Sequence, residues 1–162
     1  MNQILVFNLS GQELGVDISC VYEVLKPQEI FPLPQIPEFI QGVINLRGHI
    51  VAVVDLARRF NLKDDKIKDV LDKKRRIIVC RVNPQGDFSV AASRFIVGFI
   101  VDNATDVITL KKGDIKPTPE IISMQIDSKV ISGIVRIKER IIILLELGNI
   151  FTQQEVRQLL SS

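Results

Sequence analysis

One histidine, His49, is present in the whole chain, so a Ser-His-Asp or Cys-His device would have to be built around it. It directly follows Gly48 at a turn signal, where a strand residue of any polar type suffices, and no catalysis is expected of it. Cys20 and Cys80 each sit among apolar residues and read as buried thiols, since free Cys behaves as a small hydrophobe. Two cysteines make no disulfide framework, and no Cys/His spacing suits zinc. Asp102, Asp106, Asp114 and Asp127 lack the order of a calcium loop and read as turn formers and strand-end residues. Gly11 and Gly15 are not followed by a helix start with Lys-Ser/Thr, so they resemble no phosphate-binding loop. The expectation is no catalytic residue, no metal and no cofactor.

The totals agree with a binding role. At 162 residues the chain is one domain or two small intimate ones, and 46% apolar residues suffice for a real core. Its 21 basic and 19 acidic residues leave a net charge of +2, too balanced for a nucleic-acid face. With one Tyr and no Trp, stacking platforms for single strands are not expected either. The N-terminus lacks a basic leader region, and the apolar run Ile141–Leu145 is far short of the ~20 residues of a membrane helix. A soluble, cytoplasmic protein without membrane insertion is expected.

One stretch organises the elements. Gly42 to Leu56 reads as two β-branched strands meeting at Arg47-Gly48, with Gly48 supplying the positive φ of a tight turn and Arg47 at the tip, pointing to water or a partner. Before it, Ile4–Leu9 and Leu14–Ile18 read as strands around a turn at Ser10–Glu13, and Val21–Leu25 continues in β style. Pro27, Pro32, Pro34 and Pro37 break any long element, and Pro37–Gln41 reads as one helical turn. Asp55–Phe60 closes as a short helix. Residues 61–76 are a charged connector; Ile77–Val82 and Arg94–Val101 are strands around a loop at Asn83–Asp87. Thr152-Gln153-Gln154-Glu155 is a capping box that opens an amphipathic helix over about 153–160.

The chain repeats itself. Gly42–Phe60 aligns without gaps on Gly133–Phe151, Gly15–Leu25 on Gly98–Ile108, and Glu29–Pro34 on Asp114–Pro119. Arg47 falls on Lys138 and Glu23 on Asp106. Three blocks in one order indicate two copies of a β unit, about 5–60 and 77–151, that share an apolar seam. With little room for an enzyme, the chemistry moves to surfaces. Arg47 on an apolar hairpin tip is the best anchor, because Arg is enriched at interface hot spots.

At Gly42-Val-Ile-Asn-Leu-Arg-Gly-His-Ile-Val-Ala-Val-Val-Asp-Leu the sequence resembles the CheW-like family of bacterial chemotaxis coupling proteins. Phe7-x-Leu9, Gly15–Ile18, Val21-x-Glu23-Val24, Gly98–Asp102, Asp106–Ile108 and Ile115-Lys116-Pro117-x-Pro119-Glu120 follow the family's order. The resemblance implies a mainly all-β fold of two five-stranded SH3-like barrels around a shared core, without catalysis. It implies a cytoplasmic adaptor that bridges the chemoreceptor cytoplasmic tip to the regulatory domain of the histidine kinase CheA at membrane receptor arrays, with room for CheA/CheW rings. It assigns receptor contact to Val21, Glu23, Gly42 and Arg47, and kinase contact to Lys116, Glu120 and Ile121. The sequence departs from the family at Ala52, where Pro is usual, at Lys116, where Arg is common, and at Ile121, where an aromatic is common. The alternative is a CheW-like regulatory or oligomerising module of a two-component system. A small-molecule-binding barrel would need a hollow interior, whereas the bulky Ile, Val and Leu strands predict a filled one.

Overall fold

The computed structural model describes residues 3–62, 73–82, 96–119 and 126–160. The middle of the expected connector, the loop at Asn83–Asp87, the start of the strand expected from Arg94, and Glu120 and Ile121 lie outside the described residues. Eleven strands are described: β1 (Gln3–Leu9), β2 (Gln12–Asp17), β3 (Val21–Leu25), β4 (Gly42–Leu46), β5 (His49–Asp55), β6 (Arg76–Arg81), β7 (Ile96–Val101), β8 (Asn103–Thr109), β9 (Ile115–Lys116), β10 (Ile131–Ile137) and β11 (Arg140–Leu145). Helix α1 (Leu56–Arg59) follows β5, and α2 (Gln153–Leu160) ends the described chain.

Local chemistry sets the hairpins. Ser10 and Gly11 have φ of 49° and 80°, and Arg47 and Gly48 have 53° and 85°. Two central residues at positive φ make the turn whose twist matches paired strands. The first turn is therefore two residues long, and Gln12 and Glu13, expected in the turn, already pair with Leu9 and Asn8. At the second, Asn45 Oδ1 accepts the Gly48 N–H at 2.9 Å, which offsets the strain of a non-glycine at Arg47. The helical turn expected at Pro37–Gln41 is a single tight turn. The Ile40 N–H donates to the Pro37 carbonyl at 3.0 Å, but the Gln41 N–H goes to Val53 of β5 at 2.8 Å, so the chain enters the sheet instead of coiling on.

The strands form a six-stranded sheet, β8-β1-β2-β11-β10-β9, and a five-stranded sheet, β3-β6-β7-β5-β4. These are two SH3-like barrels. The sheets and the repeated sequence units are different partitions of the chain. Hairpin β1–β2 joins β8 and β11 from the second half, and hairpin β6–β7 joins β3 and β5 from the first. The two units have thus traded their opening hairpins.

Burial follows from that trade. Along β1, Ile4 and Val6 fill one barrel, while Leu5, Phe7 and Leu9 face the core between barrels. Along β6, Ile77 and Val79 fill the other barrel, while Ile78 and Cys80 face the shared core. Both faces of these strands are covered, hence their continuous apolar runs. The aligned glycines meet aligned neighbours. A Cβ on Gly42 would lie 2.7 Å from Ile30 Cγ2 and 2.6 Å from the Phe31 carbonyl oxygen. On Gly133 it would lie 2.7 Å from Ile115 Cγ2 and 3.1 Å from the Lys116 carbonyl oxygen.

The capping box forms as read. Glu155 Oε1 accepts the Thr152 N–H at 2.8 Å, and Thr152 Oγ1 accepts the Glu155 N–H at 3.1 Å. Val156 from α2 is buried in the shared core.

Candidate partner interface

Strands β3 and β4 are the two edges of the five-stranded sheet. Rolling that sheet brings its edges together, and the Arg47 tip crosses the seam. Arg47 Nη2 donates to Glu23 Oε1 at 2.8 Å. The two residues lie 24 positions apart in sequence. Arg47 is thus tethered, yet 64% of its side chain remains exposed.

Glu23 is placed by the alternation of β3. Val21, Glu23 and Leu25 are half-buried, while Tyr22 and Val24 are exposed at 44% and 40%. The register against β6 shifts between Val21 and Glu23, and such a bulge re-aims a side chain. After it, Glu23 pairs with the fully buried Val79. Glu23 Oε2 is buried and accepts no hydrogen bond among the described residues. Beside Arg47 on the hairpin, Ile50 is 77% exposed, a large apolar side chain that makes no contribution to the barrel interior.

The structure brings Val21, Glu23 and Arg47 to one end of the first barrel. Gly42 is buried at the other end of β4, five residues and roughly 15 Å from Arg47, under the backbone of Phe31. Whatever it does for a partner acts through the position of that segment. Lys116 is exposed on β9, the outer edge of the other sheet, paired with Ile134. His49 is an exposed β5 residue, and among the described residues no three His, Cys, Asp or Glu side chains group to hold a metal. Cys80 is buried and Cys20 half-buried; burial pushes both thiols up.

The second barrel has its own clasp. Arg140 donates to Glu13 at 2.6, 3.2 and 3.2 Å and to Asp106 at 3.3 and 3.4 Å. Its hydrogen bonds hold the Asp106 carboxyl below the usual carboxylate range, with further help from Thr105. Asp106 is the residue that aligns with Glu23, so both barrels close their seams with an acid from the same position. The cations differ. Arg47 makes one bond and stays open to solvent, whereas Arg140 is engaged on two carboxylates.

Sequence reading missed Arg140 and Glu13, and it missed Arg59. From α1, Arg59 donates to the Ile150 carbonyl at 3.0 and 3.3 Å and to Glu155 at 2.6 Å. Its guanidinium lies 5.6 Å from the Phe39 ring centre and 5.9 Å from that of Phe151. This group pins the C-terminal helix to the strap that leads into β4. The signal available was the invariant position of an acid in both repeats, which calls for a nearby cation.

A family model described as the CheW-like domain matches residues 3–155, nearly the whole chain. The chain belongs to the CheW-like family. It is 31% identical over 155 residues to the chemotaxis protein CheW of Rhizobium meliloti, covering 94% of this chain and 89% of that one. It is 30% identical over 152 residues to the chemotaxis protein CheW of Bacillus subtilis, covering 94% and 88%. Among solved structures it is similar to the scaffolding protein TtCheW of Thermoanaerobacter tengcongensis, with a TM-score of 0.77, 33% identity, and coverage of 95% of this chain and 90% of that one. These relatives carry the same two-barrel fold.

Proposed function

We propose that the chain is a non-catalytic adaptor of chemotaxis signalling that holds a chemoreceptor's cytoplasmic tip and the regulatory domain of the histidine kinase CheA on one rigid body. The observation that carries this reading is the open seam of the first barrel. A tethered but exposed Arg47 stands there among exposed Tyr22, Val24 and Ile50, in a chain of the CheW-like family. A rim of polar anchor and apolar surface is what a protein partner needs. Receptor contact is assigned to Val21, Glu23 and Arg47, with Gly42 setting the strap beneath Phe31. Kinase contact is assigned to Lys116 and to Glu120 and Ile121.

Coupling needs no chemistry of its own. Two partners held on one body meet at a raised effective concentration. A signal passes when the receptor's two states differ in their affinity for the adaptor or for the kinase beside it. No helix among the described residues is long and apolar enough to cross a membrane, so attachment to receptor arrays falls to these contacts.

The test is a pull-down with a receptor-tip fragment and the CheA regulatory domain, run on wild type and Arg47→Ala. Wild type should hold both, and the variant should lose the receptor and keep the kinase. Failure of wild type to hold either at tens of micromolar, an affinity near 6 kcal/mol, would leave a regulatory or oligomerising module instead.

A further inference from the structure

We propose that the first-barrel seam reads a side-chain carboxamide, an Asn or Gln set among apolar residues on the partner; this deepens the receptor-coupling reading and rests on it. Two features of one ion pair carry the inference. Glu23 uses Oε1 for Arg47 and leaves Oε2 buried without a donor. Arg47 spends one of its five N–H groups on that bond and makes no other described contact. An unfilled acceptor therefore sits beside unfilled donors.

Charge decides what fills both. A partner carboxylate would satisfy Arg47 but set a second negative charge beside Glu23. A partner ammonium would satisfy Oε2 but set a second positive charge beside Arg47. A carboxamide donates through its NH2 to Oε2 and accepts through its carbonyl from Arg47, and it adds no charge to desolvate. The surroundings suit a neutral group: Tyr22 and Val24 flank Glu23 on β3, and Ile50 follows Arg47 on its hairpin, all exposed apolar side chains. Arg47, mostly exposed and held by one bond, is the group that moves aside to admit the partner. The second barrel offers no such site, because Arg140 is engaged on Glu13 and Asp106.

The test uses the full chain and a receptor-tip fragment, with titration calorimetry as the readout. Glu23→Gln keeps the shape and an acceptor for Arg47 but replaces the orphan oxygen with a donor. It should bind the wild-type fragment roughly 10–100-fold more weakly, the range expected when a buried polar group loses its partner. Each Asn and Gln of the fragment is then changed to Asp or Glu. At one position the change should weaken binding to wild type and strengthen binding to Glu23→Gln, since the new acid accepts from both Gln and Arg47. Binding by Glu23→Gln within twofold of wild type, or no position with that reversal, overturns the carboxamide and leaves the coupling reading standing. Unfolding of Glu23→Gln would make the carboxylate structural and also overturn it. No binding by wild type removes the coupling reading itself.

Discussion

Gly15 and Gly98 hold the same place in the two barrels, each with its α-carbon turned into an apolar interior. A Cβ at Gly15 would lie 3.2 Å from Ile4 Cδ1 and Leu144 Cδ2; one at Gly98 would lie 2.9 Å from Ile77 Cγ2. Barrels this narrow are filled by their strands' own side chains, and one position in each must stay empty.

Gly98→Val is accordingly expected to destabilise the fold by about 1–3 kcal/mol, through overpacking against a β-branched neighbour that cannot swing away. Denaturant unfolding checks this. A shift in midpoint with an unchanged slope is expected, and a variant as stable as wild type would contradict a filled interior.

Removing Arg47 should cost little. Its pair with Glu23 is mostly exposed, and such pairs contribute up to about 1 kcal/mol. Arg140→Ala should cost more, because it strips two acids of a shared cation and leaves Glu13 and Asp106 side by side with like charge. Thermal unfolding of the two variants in parallel gives the order, and raised salt should narrow the difference.

The same clasp predicts an acid response. Asp106 has a lowered folded carboxyl pKa, so its contribution is present above the unfolded value of about 3.9 and is lost as pH falls through the folded value. Carboxyl NMR titration should place Asp106 below ordinary aspartates, and Asp106→Asn should flatten the decline in stability below pH 4. An ordinary midpoint for Asp106 would mean that Arg140 does not hold it in solution.

Arg59→Ala should free the C-terminal helix without opening the barrels. It removes charge-assisted bonds to Glu155 and Ile150, at about 1.5–3 kcal/mol. Hydrogen exchange should rise across Gln153–Leu160 while β1 and β7 stay protected. Equal loss of protection in the sheets would show that helix and barrels open as one unit.

Native thiols should resist alkylation at neutral pH, Cys80 more than Cys20. Burial raises both, and the thiolate is the nucleophile. Mass spectrometry after iodoacetamide, with and without denaturant, checks the order. Fast modification of Cys80 in the native protein would contradict its place in the shared core.

Much of this was legible because turn chemistry and repetition are local. Arg47-Gly48 marked its hairpin, and the aligned glycines marked equivalent backbones that meet Ile30 and Ile115 in the same way. The trade of hairpins was not legible. Repetition shows that Leu5 and Ile78 play like parts, but either pairing of hairpins with sheets buries both. Arg140 escaped because the alignment set Lys138 against Arg47, and the working cation stands two residues on, the spacing at which strand residues share a face. Gly42 was read as a contact because its neighbours in sequence are exposed, while its burial comes from Phe31.

The traded hairpins also set a schedule for synthesis. Gln3 faces Thr109 across the β1–β8 ladder, so the first strands to leave the ribosome have no edge to join until most of the chain has followed. At about 5–20 residues per second, that hairpin waits several seconds or more with Leu5, Phe7 and Leu9 uncovered. A nascent chain stalled before β8 therefore displays an adhesive ribbon, and early truncation yields a species for chaperones to hold. The finished barrels, conversely, cannot drift apart on a tether: parting them means unzipping ladders.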